Sequence, residues 1–161
     1  MTNRRGFTLI ELLIVLVIIG TLSAMMSITT TSANDNAKAS AIIGNLITMK
    51  KAAIVDYLEN GDKNWTDKDT LRKVVAEDIN TTDDAIKNSS YSVLKVAGTA
   101  PATDTWYIVY AFSNTDSSAI KDNIAARAGT TGIYAATAAD TVTDTIYTNV
   151  AANTHIAIKV R

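Results

Sequence analysis

The sequence predicts an α+β chain in which one long N-terminal helix packs against a small, mainly antiparallel sheet with short helices inserted. Three observations predict it. Residues 7–26, FTLIELLIVLVIIGTLSAMM, carry a single charge, Glu11. Apolar residues then recur at helical spacing as far as residue 59, with no proline to interrupt them. Further on, WYIVYAF (106–112) is aromatic and β-branched and HIAIKV (155–160) alternates cleanly, as strands do.

The composition narrows the chemistry. A length of 161 residues is the length of one domain. The chain has no Cys, which excludes a disulfide framework, a thiolate metal site and a Cys nucleophile. Its one His excludes a multi-His metal centre within a single chain. With 15 basic and 16 acidic side chains, the net charge of -1 gives no electrostatic argument for nucleic acid as the main partner.

The first element is the apolar run. Twenty helical residues span about 30 Å, the hydrocarbon thickness of a bilayer. The preceding MTNRRG has Arg4 and Arg5 as its only charges, so the positive-inside rule keeps the N-terminus in the cytoplasm. A secretory signal fits less well. Ser23-Ala24 is a weak cleavage site, and the run is longer than a signal's apolar region of about 7–15 residues. Glu11 within such a run is costly, and an ordinary anchor has no reason to bear that cost.

Here the residues carry a resemblance. Arg5-Gly6-Phe7-Thr8-Leu9-Ile10-Glu11-Leu12 resembles the cleavage and methylation motif of type IV prepilins and pseudopilins. The resemblance covers about the first third of the chain. It implies a pilin-like fold, a leader of residues 1–6, cleavage between Gly6 and Phe7 by a prepilin peptidase, and N-methylation of Phe7. Arg4 and Arg5 would be the leader charge. It also implies an assembly role for Glu11, whose carboxylate would pair with the new terminal amine. Glu11 lies four residues beyond Phe7, one turn along the same helical face. Gly6 suits a peptidase cleft because it brings no Cβ.

The helix is expected over 7–59: residues 7–28 as the membrane or filament-core part and 29–59 as an amphipathic part. Ile43, Leu46, Ile47, Ile54, Tyr57 and Leu58 mark its inner face, with Ala33, Ala37 and Ala41 continuing that face. Lys38, Lys50, Lys51 and Asp56 are expected on the other side, and Asn60-Gly61 ends the helix. Many pilins have a proline after the apolar segment. This chain has Ile28 there, then Thr29-Thr30-Thr31.

Residues 60–161 form the head. Asp62–Trp65 reads as a loop. Thr66-Asp67-Lys68-Asp69 resembles a capping box opening a short helix that buries Leu71, Val74, Val75 and Ile79. Thr81-Thr82-Asp83-Asp84 is placed to cap another turn. Strands are expected at 91–96, 106–112, 133–136 and 155–160, and a helix at 116–128 ending at Gly129. Residues 138–153 read as a loop or hairpin.

Other constellations are weaker. Asp140 and Asp144, among threonines, offer hard oxygen ligands for calcium, but in no EF-hand spacing. His155 stands alone, as a surface or capping residue does. Lys38, Lys50 and Lys51 make no coherent basic patch for nucleic acid. Asn80-Thr81-Thr82 and Asn88-Ser89-Ser90 match the N-glycosylation pattern. No nucleophile–base pair or phosphate loop appears, so no enzyme and no cofactor is expected.

The resemblance therefore implies a structural subunit of a type IV pilus-like filament. The precursor would sit in the inner or cytoplasmic membrane and the product would be an extracellular filament. Its implied partners are identical subunits, the prepilin peptidase, an assembly ATPase and a platform membrane protein. The alternatives are a pseudopilin of a type II secretion or DNA-uptake system, or an anchored binding module that does not polymerise. Loss of Arg4 and Arg5 would leave 13 basic against 16 acidic side chains, a net -3.

Overall fold

A computed structural model describes residues 6–82, 85–86, 89–96, 104–138, 141–148 and 154–161. Helix α1 runs from Leu9 to Asn60, 52 residues, or about 78 Å. A 3-10 turn over Gly61–Asn64 follows where the sequence suggested a loop. The remaining elements are α2 (Lys68–Asp78), β1 (Tyr91–Val96), β2 (Thr105–Ala111), α3 (Ser118–Thr131), β3 (Ile133–Ala138), β4 (Thr141–Ile146) and β5 (His155–Lys159). The fold is α+β and consistent with the pilin-like architecture.

The sheet has the order β1-β2-β5-β3-β4, and every neighbouring pair is antiparallel. β5, the last strand in sequence, inserts between β2 and β3. This explains why β2 and β5 are buried on both faces while their flanking ends are not. One face sends Trp106, Ile108, Ile133, Ile156 and Ile158 against α1. The opposite face gathers a smaller cluster of Leu94, Tyr107, Val109 and Ala157. Residues 138–153 contain β4, so of the two sequence readings it is the hairpin that forms.

The buried stripe of α1 keeps Ile43 and Leu46 of the expected face, with Ile47 and Tyr57 packed against the core, and departs from it elsewhere. Ala39, Ile42, Leu46, Met49, Ala53 and Asp56 are buried, spaced alternately three and four residues apart. Ala33, Ala37 and Ala41 are exposed, about a third to a half of a turn off that stripe, and Leu58 is 77% exposed. Asp56, expected on the polar side, is 3% exposed. It is tolerated because Trp65 Nε1 donates to one carboxylate oxygen at 3.1 Å and Asn60 Nδ2 to the other at 2.8 Å. Trp65 stacks edge-on between Tyr57 (5.3 Å) and Trp106 (5.4 Å), and Arg161 lies 4.4 Å over the Tyr57 ring. This clasp ties the far end of α1 to the head.

Helices α2 and α3 flank α1. In α2 the cap is Asp67, one residue later than expected, because its Oδ1 accepts from the amides of both Asp69 and Thr70 at 2.9 Å. Those bonds, the Thr70 amide's above all, hold the Asp67 carboxyl below its ordinary range. The helix buries Leu71, Val75 and Ala76; Val74 stays half-exposed because it sits off that face. It ends in a Schellman motif: Thr81 N–H reaches the Ala76 carbonyl, Asn80 N–H reaches Glu77, and Asn80 takes the left-handed position with φ 54°. Helix α3 passes through Gly129 and stops at Gly132, whose φ of 67° supplies the left-handed cap. Arg127 Nη1 donates to Ser40 Oγ at 2.7 Å, and Asn45 Nδ2 donates to the Tyr91 hydroxyl at 3.1 Å. The two contacts fix α1 laterally.

Candidate functional site

The candidate site is the start of α1. Thr8 has extended backbone angles (φ -81°, ψ 150°) and is the N-cap. The Glu11 amide donates to Thr8 Oγ1 at 3.3 Å. In return Glu11 Oε2 accepts from the Thr8 amide at 2.8 Å and from its hydroxyl at 2.7 Å. This reciprocal pair satisfies orphan amides that the first helical turn would otherwise leave bare. In an apolar surrounding an unmet amide is especially costly, so the box matters more here than at a solvated helix end.

The arrangement changes the expected relation of Phe7 and Glu11. The helix begins at Leu9, so Gly6 and Phe7 lie outside it and are exposed, Phe7 by 85%. Glu11 therefore meets the chain start through Thr8 rather than as a helical i, i+4 partner of Phe7. Exposure of the Gly6–Phe7 bond outside the helix is what a peptidase needs, because a protease binds extended chain. Arg4 and Arg5 lie outside the described residues. Thr8 is the residue that sequence reading passed over, although Thr-x-x-Glu before an apolar run is a readable capping signal.

From Leu9 to Met26 the helix is long and apolar enough to cross a membrane, and none of this window is buried by the rest of the chain. Thirteen large apolar side chains stand exposed along it. Fully burying each stabilises by about 1.5–3 kcal/mol, which together exceeds the stability of a whole domain, about 5–15 kcal/mol. Such a segment is suited to a surrounding of lipid or of other apolar helices.

The remaining candidates do not converge. Asp140 lies outside the described residues, and the backbone of Asp144 belongs to β4. His155 begins β5, half-buried, with Nδ1 2.8 Å from Thr154 Oγ1. Lys38, Lys50 and Lys51 fall on three different sides of α1 by helical spacing. Among the described residues no group of His and acidic side chains is placed to hold a metal. Tyr110 donates to Asp116 Oδ2 at 3.0 Å; burial first, then that carboxylate, pushes its phenol well up.

Residues 1–27 match the family model of the prokaryotic N-terminal methylation motif. This match supports recognition of the N-terminus as that of a type IV prepilin or pseudopilin. No curated protein matches the chain, and no solved structure does. The motif together with the exposed apolar helix supports a type IV pilin-like precursor. The helix is compatible with membrane anchoring, and the motif implies processing by a peptidase and filament assembly in general.

Proposed function

We propose that the chain is the structural subunit of an extracellular type IV pilus-like filament. It is inserted as a single-pass precursor with its N-terminus in the cytoplasm, cut after Gly6 and methylated at Phe7. It then polymerises with identical subunits by exchanging lipid for like helices. An assembly ATPase and a platform membrane protein drive that exchange, and the role is structural rather than enzymatic. The observation that carries the reading is the unburied Leu9–Met26 segment continuing as one helix into the core of the head. A helix of this kind couples a filament core to an outer head without a flexible joint.

Mass spectrometry of the membrane-extracted protein tests it. The expected mature chain begins at Phe7 and carries one added methyl. A chain cut after Ala24 instead is a secreted protein and refutes the proposal. A mature Phe7 chain confined to the membrane fraction points to a pseudopilin.

A further inference from the structure

The Asn80 turn contains a side chain that the fold does not use. The Schellman motif requires a left-handed residue at position 80, and glycine meets that need best. Asparagine adds an amide there. Asn80 is exposed, as are Asp78, Thr81 and Thr82 on either side of it. Among the described residues its side-chain amide makes no hydrogen bond. Thr82, two residues on, accepts from the Ala85 amide at 3.2 Å through Oγ1, and its hydroxyl proton stays available. The segment reads Asp78-Ile79-Asn80-Thr81-Thr82.

We propose that Asn80 is the acceptor of an N-linked saccharide. The Asn-x-Thr pattern supplies the amide nucleophile and a hydroxyl two residues later, and it acts only where the chain is exposed. Asn80 and Thr82 are both exposed at the end of α2, where a transferase can reach them together. Asp78 adds a carboxylate beside them, a charged handle for the same enzyme. The donor is a lipid phosphate-linked saccharide. Asn80 Nδ2 attacks the sugar's C1, and a C1–N bond forms as the C1–O bond to phosphate breaks. The lipid phosphate leaves with the electron pair, and a base on the transferase takes the amide proton. Two further Asn-x-Ser/Thr patterns stand in the chain: Asn64-Trp65-Thr66, which has Asp62 in the place of Asp78 but is centred on the buried Trp65, and Asn88-Ser89-Ser90, which has Ile86 in place of the acid. They are the internal controls.

The inference rests on the proposed topology, which puts the head outside the cytoplasm where such donors are used. Trypsin separates the three patterns into peptides 64–68, 74–87 and 88–95. In protein purified from the cells that make it, peptide 74–87 is expected to carry a saccharide mass, and 64–68 and 88–95 their plain masses. Asn80→Gly keeps the left-handed cap, so its melting temperature should hold while the added mass disappears. Thr82→Ser should keep the added mass. Peptide 74–87 found wholly at its plain mass overturns the inference, as does an adduct that survives Asn80→Gly. With Phe7 as the mature N-terminus, that result leaves the filament reading standing. An uncut N-terminus overturns the filament reading, and the mass of 74–87 still decides this one.

Discussion

Replacing Trp65 by Phe should loosen the end of α1 from the head. Trp65 is 5% exposed, and its Nε1 is 3.1 Å from the carboxylate of Asp56, itself 3% exposed. Phe retains an aromatic ring between Tyr57 and Trp106 but removes the N–H donor. A hydrogen bond to a charged group contributes about 1.5–3 kcal/mol. Its loss is felt in full because the acceptor stays buried. For a head of this size that corresponds to a fall in Tm of roughly 6–24 °C. Trp65→Ala adds the loss of the ring and should cost about 3–5 kcal/mol or more. The assay is thermal unfolding followed by near-UV circular dichroism, which reports the tryptophans. A Trp65→Phe variant within about 0.5 kcal/mol of the parent would be the change of an ordinary surface residue. That result would refute the clasp.

Four further outcomes follow from the geometry. Gly129→Ala should stabilise by about 0.5–1 kcal/mol, because Gly129 lies inside α3 with nothing within 4 Å of an added Cβ. Gly132→Ala should destabilise by about 1–2 kcal/mol, because its φ is 67°; equal effects in chemical denaturation would contradict the assigned helix end. Among the described residues the buried Tyr147 hydroxyl has no hydrogen-bond partner, and burial pushes its phenol up to about 12. The neutral form is thus favoured in the folded state. That contribution is present below the unfolded tyrosine value of about 10 and lost as pH rises towards 12. Tyr147→Phe should gain about 1 kcal/mol by removing the unpaired hydroxyl, and its alkaline loss of stability should be shallower. Thr8→Val removes the capping hydroxyl beside Glu11 and should lower filament yield in a shearing assay, with Thr8→Ser restoring it.

Much of the architecture was legible because it depends on local pattern. β1 and β2 fall within a residue of their expected positions, since alternation and β-branching report the pleat directly. The buried face of α1 was legible in part: Ile43 and Leu46 lie in the core as their spacing indicated, while Ala33, Ala37, Ala41 and Leu58 do not. Small residues at 33, 37 and 41 fit a helical face, but which face meets the sheet depends on where the head sits. Asp56 could not be read as buried because its donors, Trp65 and Asn60, reach it only once the helix has ended and the chain has turned back. The sequence placed the end of α3 at Gly129, and the left-handed backbone of Gly132 puts it three residues later. At the N-terminus the motif named Gly6, Phe7 and Glu11, while the part of Thr8 emerged from hydrogen bonding. The central strand position of β5 is a long-range pairing that no local signal carries.

The account's central claim is that the apolar helix exists to join copies of this chain. Electron microscopy of filaments sheared from the cell surface, labelled with antibody against the head, measures that directly. The account predicts long filaments labelled along their whole length, lost in a Glu11→Val variant. Label confined to the membrane, with no filaments from the parent chain, would contradict it.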